Sequence, residues 1–130
     1  MTNIKDLFVP YEQALELKEL GFDEPCFIHY YKGDLMESIF GQFRNSYFNL
    51  DEQVSVPLYQ QAFRWFREKY GLRISNYLFV NMSGGISEGF TIFKYSKDTI
   101  CRVESLTYEE AELACLIKLI EIVKTNQHGK

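Results

Sequence analysis

Three features of the 130-residue sequence predict an α+β fold. Two stretches, Pro10–Leu20 and Pro57–Tyr70, carry helix-forming residues and each runs into a glycine, the residue that most readily takes the left-handed turn ending a helix. Between Ile74 and Ser105 three β-rich segments are separated by turns too short for a crossover, so neighbouring strands pair antiparallel. Thr107-Tyr108-Glu109-Glu110 then has the spacing of a capping box and opens a last helix. The predicted order is α-β-(β)-α-β-β-β-α, with the helices packed on an antiparallel sheet in a single domain over residues 1–130. With 46% apolar and 25% charged residues, the chain can build a core without metal or disulfides.

The first helix begins at Pro10, where a fixed φ suits an early helical position, and stops at Gly21. Phe22 is then placed to fold back onto Leu17, the contact of a Schellman ending. Asp23-Glu24-Pro25 reads as a polar turn, and Cys26–Tyr31 as a strand running into a turn at Lys32-Gly33-Asp34. Met36–Phe43 reads as a second strand with a bulge at Gly41, and Arg44–Ser55 as an irregular loop.

The helix Pro57–Tyr70 puts Leu58, Tyr59, Ala62, Phe63, Trp65, Phe66 and Tyr70 on one broad face, with Leu72 expected to fold back on Phe66. Arg64 and Glu68 on its other face stand at i,i+4 spacing. The meander is read as Tyr77–Met82, Phe90–Tyr95 and Thr99–Val103, with turns at Ser83-Gly84-Gly85 and Ser96-Lys97-Asp98. The last helix runs to about Lys124, followed by a short flexible tail at 125–130. Nine of the eleven residues from Leu113 to Val123 are apolar, so this helix needs cover on more than one side, from the chain itself or from a second subunit.

All three helices open alike, at Tyr11-Glu12-Gln13-Ala14, Tyr59-Gln60-Gln61-Ala62 and Tyr108-Glu109-Glu110-Ala111, spaced 48 and 49 residues apart. A duplicated unit of one helix and a few strands would give that spacing. Common helix-start chemistry gives it as well, and the intervening sequences do not match.

Cys26, Cys101 and Cys115 are odd in number and lie 75 and 14 residues apart, which fits buried thiols rather than a disulfide framework or zinc site. Cys115 sits in the most apolar stretch, where a nucleophilic thiolate is disfavoured. His29 and His128 form no ligand pair, so no metal is expected, and no cofactor. Ser83–Gly89 is glycine-rich, but it leads into a strand, whereas a phosphate loop leads into a helix. No basic, then apolar, leader segment opens the chain and no run approaches the ~20 apolar residues of a membrane span, so a cytoplasmic protein is expected.

Net charge is −4, which argues against general binding to duplex phosphates. Residues 53–103 alone are basic, with 7 Lys and Arg against 3 Asp and Glu. One Trp, nine Tyr and eleven Phe exceed what a small core usually needs. Tyr30, Tyr31, Phe40, Phe43, Tyr47 and Phe48 are therefore candidates for a contact surface or stacking platform. Arg64, Arg67 and Arg73 are candidate cations beside such rings.

Three near-verbatim blocks carry a resemblance: VPYEQALELKELGFDEPC at Val9–Cys26, YQQAFRWFREKYGL at Tyr59–Leu72 and YEEAELACLIKLIEIVK at Tyr108–Lys124. In these blocks, 49 of the 130 residues, it resembles small proteins of phage genomes and of phage-derived regions of bacterial chromosomes. That group carries no assigned reaction, so the resemblance implies an accessory role and transfers no catalytic residue. The sequence thus leads to a non-catalytic accessory protein that binds a protein partner or itself through aromatic and final-helix surfaces. The alternative is a binder of nucleotides or single-stranded nucleic acid through the aromatic and arginine residues. An enzyme ranks third, because no acid, base, nucleophile or metal set stands at a diagnostic spacing.

Overall fold

A computed structural model describes residues 4–37, 44–47, 53–94 and 98–128. The chain is α+β, with three α-helices and two three-stranded antiparallel sheets among the described residues. Its contacts cluster into two compact units, Met1–Ala62 and Phe63–Lys130.

In the first unit, α1 spans Tyr11–Glu19 after Pro10. It ends as the sequence predicts. The Phe22 N–H donates to the Leu17 carbonyl (2.9 Å) and the Gly21 N–H to that of Lys18 (3.0 Å), the bond pair of a Schellman motif, with Gly21 at φ 98°. Leu17 and Phe22 are both buried. The strands are β1 (Ile28–Tyr31), β2 (Asp34–Glu37) and β3 (Gln53–Val56), in spatial order β2-β1-β3.

The expected irregular loop Arg44–Ser55 is therefore corrected at both ends. Asn45–Tyr47 form a 3-10 turn, and Gln53–Val56 form a strand pairing with β1 from Ile28↔Val56 to Tyr31↔Gln53. Polar side chains fasten this turn. Asn45 Nδ2 donates to the Phe22 carbonyl (2.8 Å) while its Oδ1 accepts from the Ser55 N–H (2.8 Å), and Arg44 Nη1 donates to the Asp23 carbonyl (3.0 Å). Of the expected strand Met36–Phe43, the part within β2 is seen, and residues 38–43 lie outside the described residues.

Helix α2 spans Tyr59–Tyr70, and the division between the two units falls inside it. At its start Gln61 Oε1 accepts from the Leu58 N–H (2.9 Å), the reciprocal arm of a capping box. Its end differs from that of α1. The Gly71 N–H donates to the Arg67 carbonyl (3.1 Å) with Gly71 at φ 69°, the single-bond left-handed cap, and Leu72 enters a strand at once.

The second unit holds β4 (Leu72–Val80), β5 (Ile86–Lys94) and β6 (Asp98–Ser105), side by side in chain order. The three-strand meander is as predicted, with longer strands. In the β4–β5 hairpin, Asn81 accepts at Oδ1 from the N–H groups of Ser83 (3.1 Å) and Gly85 (3.1 Å), and the Asn81 N–H donates to the Gly85 carbonyl (2.8 Å). Ser83-Gly84-Gly85 is thus a hairpin turn and not a phosphate loop. The second expected turn, at Ser96-Lys97-Asp98, falls mostly outside the described residues, although Lys94 pairs with Asp98 across it.

Helix α3 spans Tyr108–His128, so 125–128, placed in a tail by the sequence, are helical. Thr107 Oγ1 accepts from the Glu110 N–H (3.2 Å), the threonine half of the predicted capping box. Its buried apolar positions, Ala111, Cys115, Leu116, Leu119, Ile120 and Val123, form one broad stripe lying against β5 and β6. The apolar girth is largely covered within the chain; of its large apolar side chains past Tyr108, Ile117 keeps the most exposure, 43%.

The element order α-βββ repeats after Tyr11 and after Tyr59, yet β1 is central in the first sheet and β5, the second of its three, in the other. The matching helix starts thus head two differently wired sheets.

Candidate functional site

The second sheet carries the surfaces with most chemistry on them. Cross-strand partners lie on one face, so register assigns every side chain. One face holds the rows Ile74–Ile92–Cys101, Asn76–Phe90–Val103, Leu78–Glu88–Ser105 and Val80–Ile86. Helix α3 covers its centre: Phe90 and Ile92 are buried, and the Tyr108 ring packs on Phe90 at 5.6 Å. Tyr108 is the first residue of α3, so the rows nearest the hairpin lie beyond the helix. There Leu78 is 62%, Val80 72%, Ile86 67% and Met82, in the turn, 106% exposed. These four form an apolar tip.

The opposite face holds Arg73–Phe93, Ser75–Thr91–Arg102, Tyr77–Gly89–Glu104 and Phe79–Ser87. Tyr77 lies across β5 directly over Gly89, where any Cβ would collide with its ring, and its hydroxyl donates to Glu104 Oε2 on β6 (2.7 Å). Burial and the bonded carboxylate both raise the Tyr77 pKa. The Phe79 ring sits 6.0 Å from that of Tyr77, and Arg73 and Arg102 are exposed. This face is a half-buried aromatic layer flanked by two cations.

The residues singled out by sequence are distributed as follows. Tyr30 is half-buried in β1 and packs edge-on against Tyr11 at 5.0 Å, and burial raises its pKa. Tyr31 has the Lys32 ammonium 5.4 Å from its ring. Tyr47 lies in the 3-10 turn, while Phe40, Phe43 and Phe48 lie outside the described residues. Arg64, Arg67 and Arg73 are exposed and belong to the second unit, whereas Tyr30, Tyr31 and Tyr47 belong to the first. Arg64 Nε bonds Glu68 Oε1 at 2.8 Å, the predicted i,i+4 pair, and that bond lowers the Glu68 pKa. On α2 the Lys69 ammonium lies 5.0 Å from the Trp65 ring and 5.6 Å from that of Tyr70. Tyr77, Phe79, Phe93 and Arg102, and the tip residues, were not read as candidates. The signal lay in Tyr77-Leu78-Phe79-Val80, where alternation fails and both faces of one strand are apolar.

Burial pushes the Cys26 and Cys115 thiols up to about 12, and raises Cys101 as well, so all three are poor thiolates at neutral pH. Burial lowers the His29 pKa. Among the described residues no group of three or more His, Cys, Asp or Glu stands together to hold a metal, and no helix is long and apolar enough to cross a membrane. No protein-family model matches the chain, and neither does any curated protein or solved structure.

Proposed function

We propose that the chain is a non-catalytic accessory protein of the phage type that acts by binding protein, with the apolar tip of the β4–β5 hairpin as its contact surface. One observation carries this reading: Leu78, Val80, Met82 and Ile86 are clustered and are each at least 62% exposed. Single exposed apolar residues are ordinary, whereas a contiguous group is characteristic of interaction sites. The final helix, the other surface favoured by sequence, offers mainly Ile117. The test compares wild type with a Val80→Asp/Ile86→Asp variant, both in solution mass and as immobilised bait. Association that the variant loses is expected. Association equal in both, or none in either, overturns the reading.

A second reading is supported by Tyr77, Phe79 and Phe93 lying on one face with Arg73 and Arg102. Such a layer suits a nucleotide or single-stranded nucleic acid, the rings stacking on bases and the guanidinium groups meeting phosphate. Anisotropy of a labelled oligonucleotide should then show affinity that falls with salt and is lost in Arg73→Ala/Arg102→Ala. Loss in Arg64→Ala/Arg67→Ala instead would move the site to α2. No binding at low salt removes this reading.

A further inference from the structure

The two edges of the second sheet are built differently. A strand edge presents unpaired N–H and C=O groups, and proteins blunt such edges with charge, proline or bulges. On β6 the register breaks opposite Ile92/Phe93, leaving Ile100 as an extra residue, and Arg102 and Glu104 stand exposed along the strand. Strand β4 has none of these defences except one charge. Its nine residues pair with β5 in unbroken register from Leu72↔Lys94 to Val80↔Ile86, contain no proline and carry a single charged side chain, Arg73. Among the described residues β5 is its one hydrogen-bonded strand neighbour.

We propose that β4 pairs antiparallel with β4 of a second copy of this chain, about a twofold axis at Asn76, joining two three-stranded sheets into one of six strands. This rests on the protein-binding reading above and names the partner. A second copy fits this edge because β4 complements itself. Reversed about Asn76, all nine residues find partners: Leu72 meets Val80 and Ile74 meets Leu78 on one face, and Arg73 meets Phe79 and Ser75 meets Tyr77 on the other. Apolar side chains then face apolar ones, and each guanidinium faces a ring. Centring on Tyr77 instead sets Asn76 against Leu78 and Ser75 against Phe79. A twofold contact of this kind closes on itself, so it gives a dimer and not a fibre. The exposed Leu78 and Val80 of one copy lie beside Ile74 and Leu72 of the other, which covers half of the apolar tip.

The test is disulfide trapping. On the twofold axis the two copies of position 76 face each other at about 4.5–5.5 Å between Cα atoms, inside the range that a disulfide spans. Asn76→Cys is made in the full chain with Cys101→Ser, which leaves only the buried Cys26 and Cys115. Expected are a doubled solution mass for the wild type at high concentration and a covalent dimer of the Asn76→Cys chain on mild oxidation, which does not form when the oxidation is carried out in denaturant. Met82→Cys, in the hairpin turn, is the comparison. A doubled mass with linkage through Met82→Cys and none through Asn76→Cys overturns edge pairing but keeps the tip as a contact. One monomeric mass at every concentration, with no linkage at position 76, overturns the proposal and leaves the tip reading to its own bait experiment. Wild-type mass does not depend on any variant folding, so a monomeric mass overturns the proposal even where a variant fails.

Discussion

The two sheets have the same number of strands and opposite sources of order. In the first, each strand has four residues, and side chains reaching for backbone groups do much of the fastening: Asn45 to Phe22 and Ser55, Arg44 to Asp23, Lys18 to Gln53, Gln61 to Pro25. In the second, strands of eight and nine residues run in long ladders, and a ring laid over a glycine ties three of them together. Connection length explains the wiring. Between β2 and β3 lie fifteen residues, enough chain for β3 to return to the far side of β1; β5 and β6 are three residues apart and have to be neighbours. Repeating an order of elements therefore does not repeat a topology.

The largest effect should come from the cores that both sheets depend on. Phe22→Ala and Phe90→Ala each remove a buried ring, and each should cost about 3–5 kcal/mol in urea unfolding. A much smaller cost for Phe22→Ala would mean that polar fastening, not packing, carries the first sheet.

Next is Gly89→Ala, which forces the Tyr77 ring off β5 and should cost about 1–3 kcal/mol. The same change made in Tyr77→Ala should cost clearly less, because the obstacle is gone. Additive costs in that double-mutant cycle would show that the ring is not what excludes a side chain at 89. In the first sheet, Asn45→Ala strips partners from the Phe22 carbonyl and the Ser55 N–H, and about 1–3 kcal/mol of destabilisation is expected, read in the same urea titrations.

The smallest effect shows as a slope. Glu112 is buried on α3, and its burial, followed by the charge of Glu109, raises its carboxyl from 4.5 to about 7. The folded chain then holds a proton that the unfolded chain releases, so stability should fall as pH rises from about 4.5 to about 7 and level off beyond. Glu112→Gln should flatten that part of the profile; an unchanged slope would show that Glu112 ionises normally in the fold.

What could be read in advance follows the range of the forces concerned. Endings set by neighbours in sequence were legible: Gly21 with Phe22 and Leu17, Thr107 with Glu110, the turn at Ser83-Gly84-Gly85. Strand β3 was not, because Gln53-Val54-Ser55-Val56 is too short to show a period and becomes a strand only when β1, some twenty-five residues earlier, lies beside it. For the candidate site the residue types were legible and the groupings were not. Arg73 was singled out, but its companions Phe93 and Arg102 reach it only through a register that the sequence does not print. The apolar surplus of α3 was visible too, and the sheet that absorbs most of it was not.

The ring over Gly89 also gives the protein a magnetic label of its own. Protons held above an aromatic face feel its circulating electrons and resonate far upfield of their usual place. The α-proton of Gly89 that stands where a side chain would begin, on the residue whose missing side chain lets Tyr77 settle there, should therefore separate from the crowded region of a one-dimensional proton spectrum. Its return to an ordinary frequency would report the parting of β4 and β5 without any probe being added.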